Sequence, residues 1–397
     1  MSAKINVLII GAGHYAAGTT GRKRATDKDF GVLLPAVFEL RRQGMVDKIF
    51  LAARDGDKIS HLQSKLTVLA QEYGWDIHAQ FFPGKGQVDE KAYRKALAVL
   101  PKPGAVLIAT PDVLHKEMML AAIEYGHHFM VVKPAVTKVK DVKEIIIKLK
   151  KKKLVGMVDY HKVYDDANLI IKDQYQKGVY GDIQHVYTQI TQRRDMLEIF
   201  KWLSKENNVN HYLNSHYIHL VHFITKAKPV RVRAMAQFGV ARDQYRVHTA
   251  DLIQTQVEWK SSGGKSFVSY HLAGWSDPSE TPAMTYQEIH IIGTKGRTDS
   301  DQRNRGFENI FVDTGNAIVN PYFFYLHKGV DGKIDLAGKY GFKSIKTFFE
   351  TVQKVIDGQN PSEFDTMMPT VRGSLIVTKI LEAADKSLKN DSKIIRM

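Results

Sequence analysis

The chain contains no cysteine. Structural disulfides, thiolate metal centres and cysteine nucleophiles are therefore excluded, and a reducing compartment is compatible with the composition. Long apolar runs are also missing: nothing approaches the roughly 18 uninterrupted apolar residues of a membrane helix. The opening MSAK passes straight into INVLII, about six apolar-rich positions, too few for the core of a signal peptide. A cytoplasmic protein with no membrane partner is expected. No internal repeat or low-complexity segment appears.

Acidic residues are outnumbered, 42 against 57 lysines and arginines, for a formal net charge of +15. Such a surplus admits nucleic acid, acidic membrane or anionic small molecules as partners. The densest run, KLKKKK at Lys148 to Lys153, follows the helix-like DVKEIIIK. Lysines in a last turn complement the helix dipole, which accounts for most of that run. No arginine–aromatic stripe or nucleic-acid motif accompanies the charge, so nucleic acid is not an expected partner.

At 397 residues the chain exceeds the size, roughly 250–300 residues, at which single cores stop growing, and two domains are expected. INVLIIGAGHYA reads as a strand running into a glycine turn, with Gly11, Gly13 and Ala16 in a G-x-G-x-x-A pattern. The first glycine makes the turn, the second leaves room for a pyrophosphate, and the small third residue lets the next helix pack closely. The motif is weak alone. VLLPAVFELRRQGMV then reads as a helix stopped at Gly44, KIFLAA as a strand, and KALAVLPKPGAVLIATPDVLHKEMMLAAIEYG as helix, strand, turn and helix. A further strand, Phe129 to Val132, ends at Lys133-Pro134.

This alternation predicts a doubly wound parallel α/β sheet with right-handed crossovers, a Rossmann domain over residues 1–135. Ligands of such sheets bind beyond the carboxyl ends of the strands. Gly11 to Ala16, Arg54, Thr110-Pro111 and Lys133 all fall at strand ends. Arg54 occupies the position where an acid usually holds the ribose 2′-OH, and a guanidinium favours a 2′-phosphate. NADP(H) is the preferred cofactor; Asp55, the next residue, leaves NAD(H) open. Arg22, Lys23 and Arg24, in a long loop, either reach a phosphate or are solvated.

After Lys133 the pattern changes. RVRAMAQFGV, DLIQTQVEWK, KSFVSYHLAGW and YQEIHIIGTKGRTDSD follow one another as strands without helices between them. Residues 136–397 are therefore expected to form a second α/β domain with a large, mostly antiparallel open sheet. The alternation in FVSYHLAGW and VRAMAQF implies that both sheet faces are covered, so a homo-oligomer, dimer or tetramer, through this sheet is expected.

The order of the glycine turn, ATPDVLHKEMMLAAIEYGHHFMVVKP, GVYGDI and LNSHYIHLVHF resembles the glucose–fructose oxidoreductase / inositol dehydrogenase (Gfo/Idh/MocA) family over nearly the whole chain. HYAAGTTG, TDKDFGVLLPAVFELRRQG, HKVYDD, FKWLSK, NHYLNSH and NPYFFYLHKGVDGKIDLAGKYGFKS are most similar to its D-galacturonate reductase-like branch. The resemblance implies a hydride-transferring enzyme that acts on a sugar or sugar acid.

The family's Glu-Lys-Pro motif falls on Val132-Lys133-Pro134, without its glutamate, and its Asp-x-x-x-His motif on Tyr212 and His216, without its aspartate. The resemblance implies that Lys133 and His216 are catalytic, with His216 or Lys133 as proton donor. It implies a dinucleotide held by Gly11, Ala12, Gly13, His14, Tyr15, Arg54, Thr110, Pro111, His115, Lys133 and Pro134. Candidate substrate contacts are His161, Lys162, Tyr212, Asn214, Arg193, Arg194 and Arg246, the arginines as carboxylate clamps. His216, His219 and His222 recur at three-residue steps, but such steps drift around a helix and no carboxylate completes a ligand set, so no metal is expected. An aldose 1-dehydrogenase working on a neutral sugar is the enzyme alternative. A dinucleotide-binding sugar sensor or co-regulator without turnover is the non-enzyme alternative, and such family members tend to lose the lysine–histidine pair.

Overall fold

The computed structural model describes residues 4–18, 30–199, 207–313 and 315–397. Arg22, Lys23 and Arg24, and the whole of FKWLSK, lie outside the described residues. Two compact units result. The first comprises residues 1–135, 140–161 and 322–373; the second comprises 136–139, 162–321 and 374–397.

The chain begins with β1 (Ile5–Ile10), buried along its whole length, as an apolar run covered on both faces must be. There follow α1 (His14–Ala17), α2 (Leu33–Arg42), β2 (Val46–Ala52), α3 (Gly56–Tyr73) and β3 (Gln80–Phe82). Next come α4 (Ala92–Val99), β4 (Gly104–Ile108), α5 (Asp112–Glu124), β5 (His128–Val132), α6 (Val139–Lys152) and β6 (Gly156–Asp159). The six strands form one parallel sheet in the order β3-β2-β1-β4-β5-β6. This is the strand order of a Rossmann fold, with its switch point between β1 and β4.

From the sequence, residues 136–397 are expected to form a single domain. Residues 140–161 and 322–373 instead pack with the first unit. The reason is physical: β6 pairs with β5 from Phe129–Gly156 to Val132–Asp159 and completes the parallel sheet.

The second unit carries α7 (Asp166–Gln176), β7 (Ile183–Arg193), α8 (Ser215–Thr225), β8 (Lys228–Gln237), α9 (Val240–Tyr245), β9 (Leu252–Lys260) and β10 (Ser266–Asp277). It continues with β11 (Thr285–Gly293), β12 (Arg297–Asp301) and a hairpin of β13 (Glu308–Phe311) and β14 (Gly315–Ile318). The chain closes with α10 (Tyr340–Ile356), α11 (Val371–Lys389) and β15 (Ile395–Arg396). Within the first unit, α10 contacts α2 and β6.

The second sheet runs β12-β11-β7-β10-β9-β8-β15, antiparallel except where β7 pairs parallel with β10. Along β9, Ile253, Thr255, Val257 and Trp259 are buried and Gln254 is exposed, the period-two pattern of a half-buried strand. Polar groups on the buried face are joined in a chain. The Trp259 indole donates to Ser269 Oγ at 2.7 Å, and the His271 ring bridges Ser269 and Thr188 at 2.7 Å each. Burial holds the His271 imidazole down at about 3. On the other face Met235 and Tyr270 are exposed. Among the described residues, no helix is long and apolar enough to cross a membrane.

Candidate active site

In the first unit, the carboxyl ends of the parallel strands bring together the turn after β1 and the loops after β2, β4 and β5. Gly11 leaves β1 with φ 107°, and its N–H donates to the Ala52 carbonyl at 2.8 Å. A Cβ here would lie 2.2 Å from the Ala109 carbonyl oxygen, so only glycine fits. Gly13 differs. A Cβ there would meet nothing within 4 Å, so the backbone at 13 faces open space. A tight first glycine and an unobstructed second one fit a dinucleotide pyrophosphate laid against the turn. Ala12 and Ala16 are buried, while His14 and Tyr15 are half-buried.

Arg54 follows β2 and is largely exposed, its guanidinium 3.9 Å from Glu90. Asp55 is engaged elsewhere: it caps α3, accepting from the Asp57 N–H at 2.9 Å. At this strand end Arg54 is therefore the freer group to meet a ribose substituent.

The loops after β4 and β5 are tied to each other. His115, fully buried on α5, sets one ring nitrogen 2.9 Å from the Thr110 carbonyl and the other 2.8 Å from the Pro134 carbonyl. Both nitrogens face backbone carbonyls, so that His115 ties the Thr110-Pro111 and Lys133-Pro134 loops together. Lys133 itself is half-buried just beyond β5.

β6 ends on a charge, as the β5 run ends at Lys133. Asp159 is 3% exposed. Its Oδ2 accepts from the Tyr15 hydroxyl and lies 3.7 Å from His161 Nδ1, while Oδ1 accepts from Ser344 of α10 at 2.7 Å. Burial alone would push this carboxyl up; the His161 imidazole and then the Tyr15 and Ser344 hydroxyls outweigh it and hold Asp159 below its ordinary value. The His161 ring stacks on Tyr15 at 6.5 Å and packs on Phe323 at 4.9 Å and Tyr340 at 5.8 Å. Asp159, Ser344, Phe323 and Tyr340 are not among the residues to which the sequence points. The signal for Asp159 was the one that exposed Lys133, a charge at the tip of an apolar strand.

In the second unit, a π-helical turn, Asn210–Asn214, precedes α8. Such turns recur at functional sites. His216 is 4% exposed on α8 and Tyr212 is half-buried with its ring 6.0 Å from Trp275. Asn214 is buried and its amide donates to Asn210 Oδ1 at 2.8 Å and to the His271 carbonyl at 3.3 Å. His219 is buried and held neutral, its imidazole down at about 3, and His222 sits 3.0 Å from the Ala227 carbonyl.

Lys162, a candidate substrate contact, is a buried group. It is 1% exposed, donates to Gln302 Oε1 at 3.2 Å and lies 4.7 Å from the centroid of the Tyr217 ring. Burial pushes its ammonium down to about 7, with Asp165 opposing and Arg305 adding to the shift.

Two of the expected carboxylate clamps, Arg193 and Arg194, are engaged within the second unit. Arg193 Nε lies 3.3 Å from Asp195 Oδ1. Arg194 donates to the Ser276 and Asp277 carbonyls at 3.1 and 3.4 Å. Arg246 is exposed at the end of α9.

Comparison with known proteins agrees with this architecture. Residues 57–160 match the Gfo/Idh/MocA family, described as the oxidoreductase family with an NAD-binding Rossmann fold. No curated protein matches the chain. Among solved structures, the chain is similar to myo-inositol 2-dehydrogenase from Lactobacillus plantarum, at 15% identity and a TM-score of 0.69 with both chains fully covered. It is similar to aldose–aldose oxidoreductase from Caulobacter crescentus, complexed with glycerol, at 15% identity and a TM-score of 0.67, again with both chains fully covered. Scyllo-inositol dehydrogenase from Lactobacillus casei, with bound NAD(H) and scyllo-inositol, follows at 13% identity and a TM-score of 0.64 with 99% of each chain covered. At these identities the likeness is one of fold. Residues 57–160 thus carry the pattern of the Gfo/Idh/MocA oxidoreductase family, and the chain as a whole shares the fold of these dehydrogenases.

Proposed function

We propose that the protein is an NADP(H)-dependent oxidoreductase that reduces the aldehyde of a sugar acid, a uronate such as D-galacturonate. The observation that carries the redox part is the carboxyl edge of the parallel sheet, where open backbone at Gly13, the Arg54 guanidinium and the Lys133 ammonium follow strands of one sheet. A bound nicotinamide supplies the hydride. Lys133 stabilises the charge that grows on the carbonyl oxygen, and His216 or Lys133 delivers the proton, so that C=O gains a hydride and a proton to become CH–OH. The solved neighbours are named for polyols and sugars, which supports a substrate of that class. The preference for NADP(H) rests on Arg54 and on the engagement of Asp55 in capping α3. Self-association is assigned to the second-sheet face that exposes Met235 and Tyr270, against a second copy of the chain.

The uronate rests on the resemblance to the D-galacturonate reductase-like branch and on the net charge of +15. The pairing of Arg193 with Asp195, and of Arg194 with two carbonyls, favours a second reading, an aldose 1-dehydrogenase that oxidises a neutral sugar through the same residues.

Steady-state kinetics with D-galacturonate and D-galactose, each with NADPH and NADH, separate these. A site built to pair a carboxylate rejects the neutral analogue by about a hundredfold in kcat/KM, because its cations would stay unpaired. The highest kcat/KM is expected for galacturonate with NADPH, and Arg54→Asp is expected to move the preference toward NADH. Equal values for the two sugars, or a preference for galactose, remove the uronate. Equal or better values with NADH remove the NADP(H) preference.

A further inference from the structure

The buried carboxylate at the end of β6 has no part in the hydride chemistry above. Taking a carboxylate out of water costs several kcal/mol unless its oxygens are well paired. The two oxygens of Asp159 divide their partners. Oδ1 is bound by Ser344 of α10 at 2.7 Å, a tie between secondary-structure elements. Oδ2 faces Tyr15 and His161, neither of which belongs to the core of the sheet.

Tyr15 stands two residues after Gly13, on the short turn of helix whose N-cap is Gly13. Its backbone is held too, since the Tyr15 carbonyl accepts from the Val32 N–H at 2.7 Å. A hydroxyl fixed to a buried anion, with the ring stacked on His161 at 6.5 Å and 17°, leaves that turn few alternative positions. His161 is in turn backed by Phe323 and Tyr340, which are 7% and 4% exposed.

We propose that Asp159 is a positioning residue of the dinucleotide site, anchoring Tyr15 so that the Gly11–Tyr15 turn is held in its binding geometry before the cofactor arrives. Pre-ordering the turn removes an entropic cost from binding. The effect therefore falls on dinucleotide affinity and not on the rate of the chemical step. The inference rests on the reading of that turn as the dinucleotide site.

The test is fluorescence titration of the full chain with NADPH and with NADH, without any sugar, alongside thermal unfolding. Tyr15→Phe keeps the stacked ring and removes the hydroxyl, whose bond to a charged group is a strong one. It is expected to weaken dinucleotide binding about tenfold with little change in Tm. Asp159→Asn is expected to weaken it similarly, and the double variant no further, because the two side chains act through one bond. Ser344→Ala, which loosens only the tie to α10, is expected to lower Tm. Normal binding by Tyr15→Phe and Asp159→Asn, or additive losses in the double variant, would overturn the inference while leaving the dinucleotide reading intact. Failure of the wild-type chain to bind either dinucleotide would overturn both.

Discussion

Replacing Lys133 with alanine is expected to lower kcat by about a hundredfold or more while dinucleotide titration still saturates, the loss usual for a positioned acid or base. The expectation starts from an anomaly. Lysine is seldom carried to the tip of a core strand, yet Phe129, Met130 and Val131 of β5 are buried and Lys133 follows two residues after Val131, half out of solvent. The loop that carries it is fixed, because the buried His115 ring holds the Pro134 carbonyl against the Thr110 loop. An ammonium carried by a fixed loop on the carboxyl edge of a parallel sheet is suited to meet charge that develops on a substrate oxygen. His216→Ala is expected to lower kcat as well, and the double variant to lose less than the product of the single losses, as members of one catalytic unit do. Normal turnover by Lys133→Ala would leave the residue as no more than the end of a strand.

The second large effect is on stability. Lys162 has an ordinary value of 10.5 and is pushed down to about 7 by burial. Between those values the unfolded chain holds a proton that the native protein has released, so wild-type stability should rise with pH across that window. Below it, the native protein carries a buried cation at full cost. The interval sets an upper bound of about 5 kcal/mol on the cost. Lys162→Met removes it and strands no partner. Gln302 Oε1 still accepts from the Tyr217 hydroxyl at 3.2 Å, and Asp165 remains paired with Arg305. The variant is expected to be more stable at neutral pH by about 1–4 kcal/mol, as buried charges exchanged for apolar groups often are. Urea unfolding from pH 6 to pH 10 checks both points. A variant less stable than wild type at pH 7, or a pH slope identical to that of wild type, contradicts the assignment.

Much of the first unit was legible because its strands are short apolar runs closed by glycine or proline. INVLII, KIFLAA and Phe129 to Val132 appear as β1, β2 and β5, and the stop at Gly44 follows α2. β6 was harder to place: four residues carry no period, so GMVD could be read as a strand but not assigned to the parallel sheet. The return of residues 322–373 to the first unit left no local mark either, since α10 looks like any amphipathic helix until its neighbours are known. In the second sheet the alternation marks β8, β9, β10 and β11, whereas the two-residue β15 and the parallel pairing of β7 with β10 are properties of topology alone.

The candidate site divides along the same line. Gly11, Gly13 and Lys133 announce themselves by residue type at a strand end. The Asp159 cluster is assembled from partners 144 and 185 residues away, a separation no window along the chain spans. Lys162 and Asn214 were legible as polar residues in promising positions. Their burial against Gln302 and Asn210 is a tertiary fact.

The central claim is that the chain turns over a nicotinamide dinucleotide with a sugar as the hydride acceptor. It is tested most directly by mixing the purified wild-type chain with NADPH and following its absorbance as a panel of uronates and neutral aldoses is added. The account predicts that NADPH is consumed with at least one uronate, faster than with the matching neutral sugar, and that Lys133→Ala abolishes nearly all of this. Saturable NADPH binding with no consumption by any member of the panel, in either direction of the reaction, would contradict it and favour a dinucleotide-binding protein without turnover.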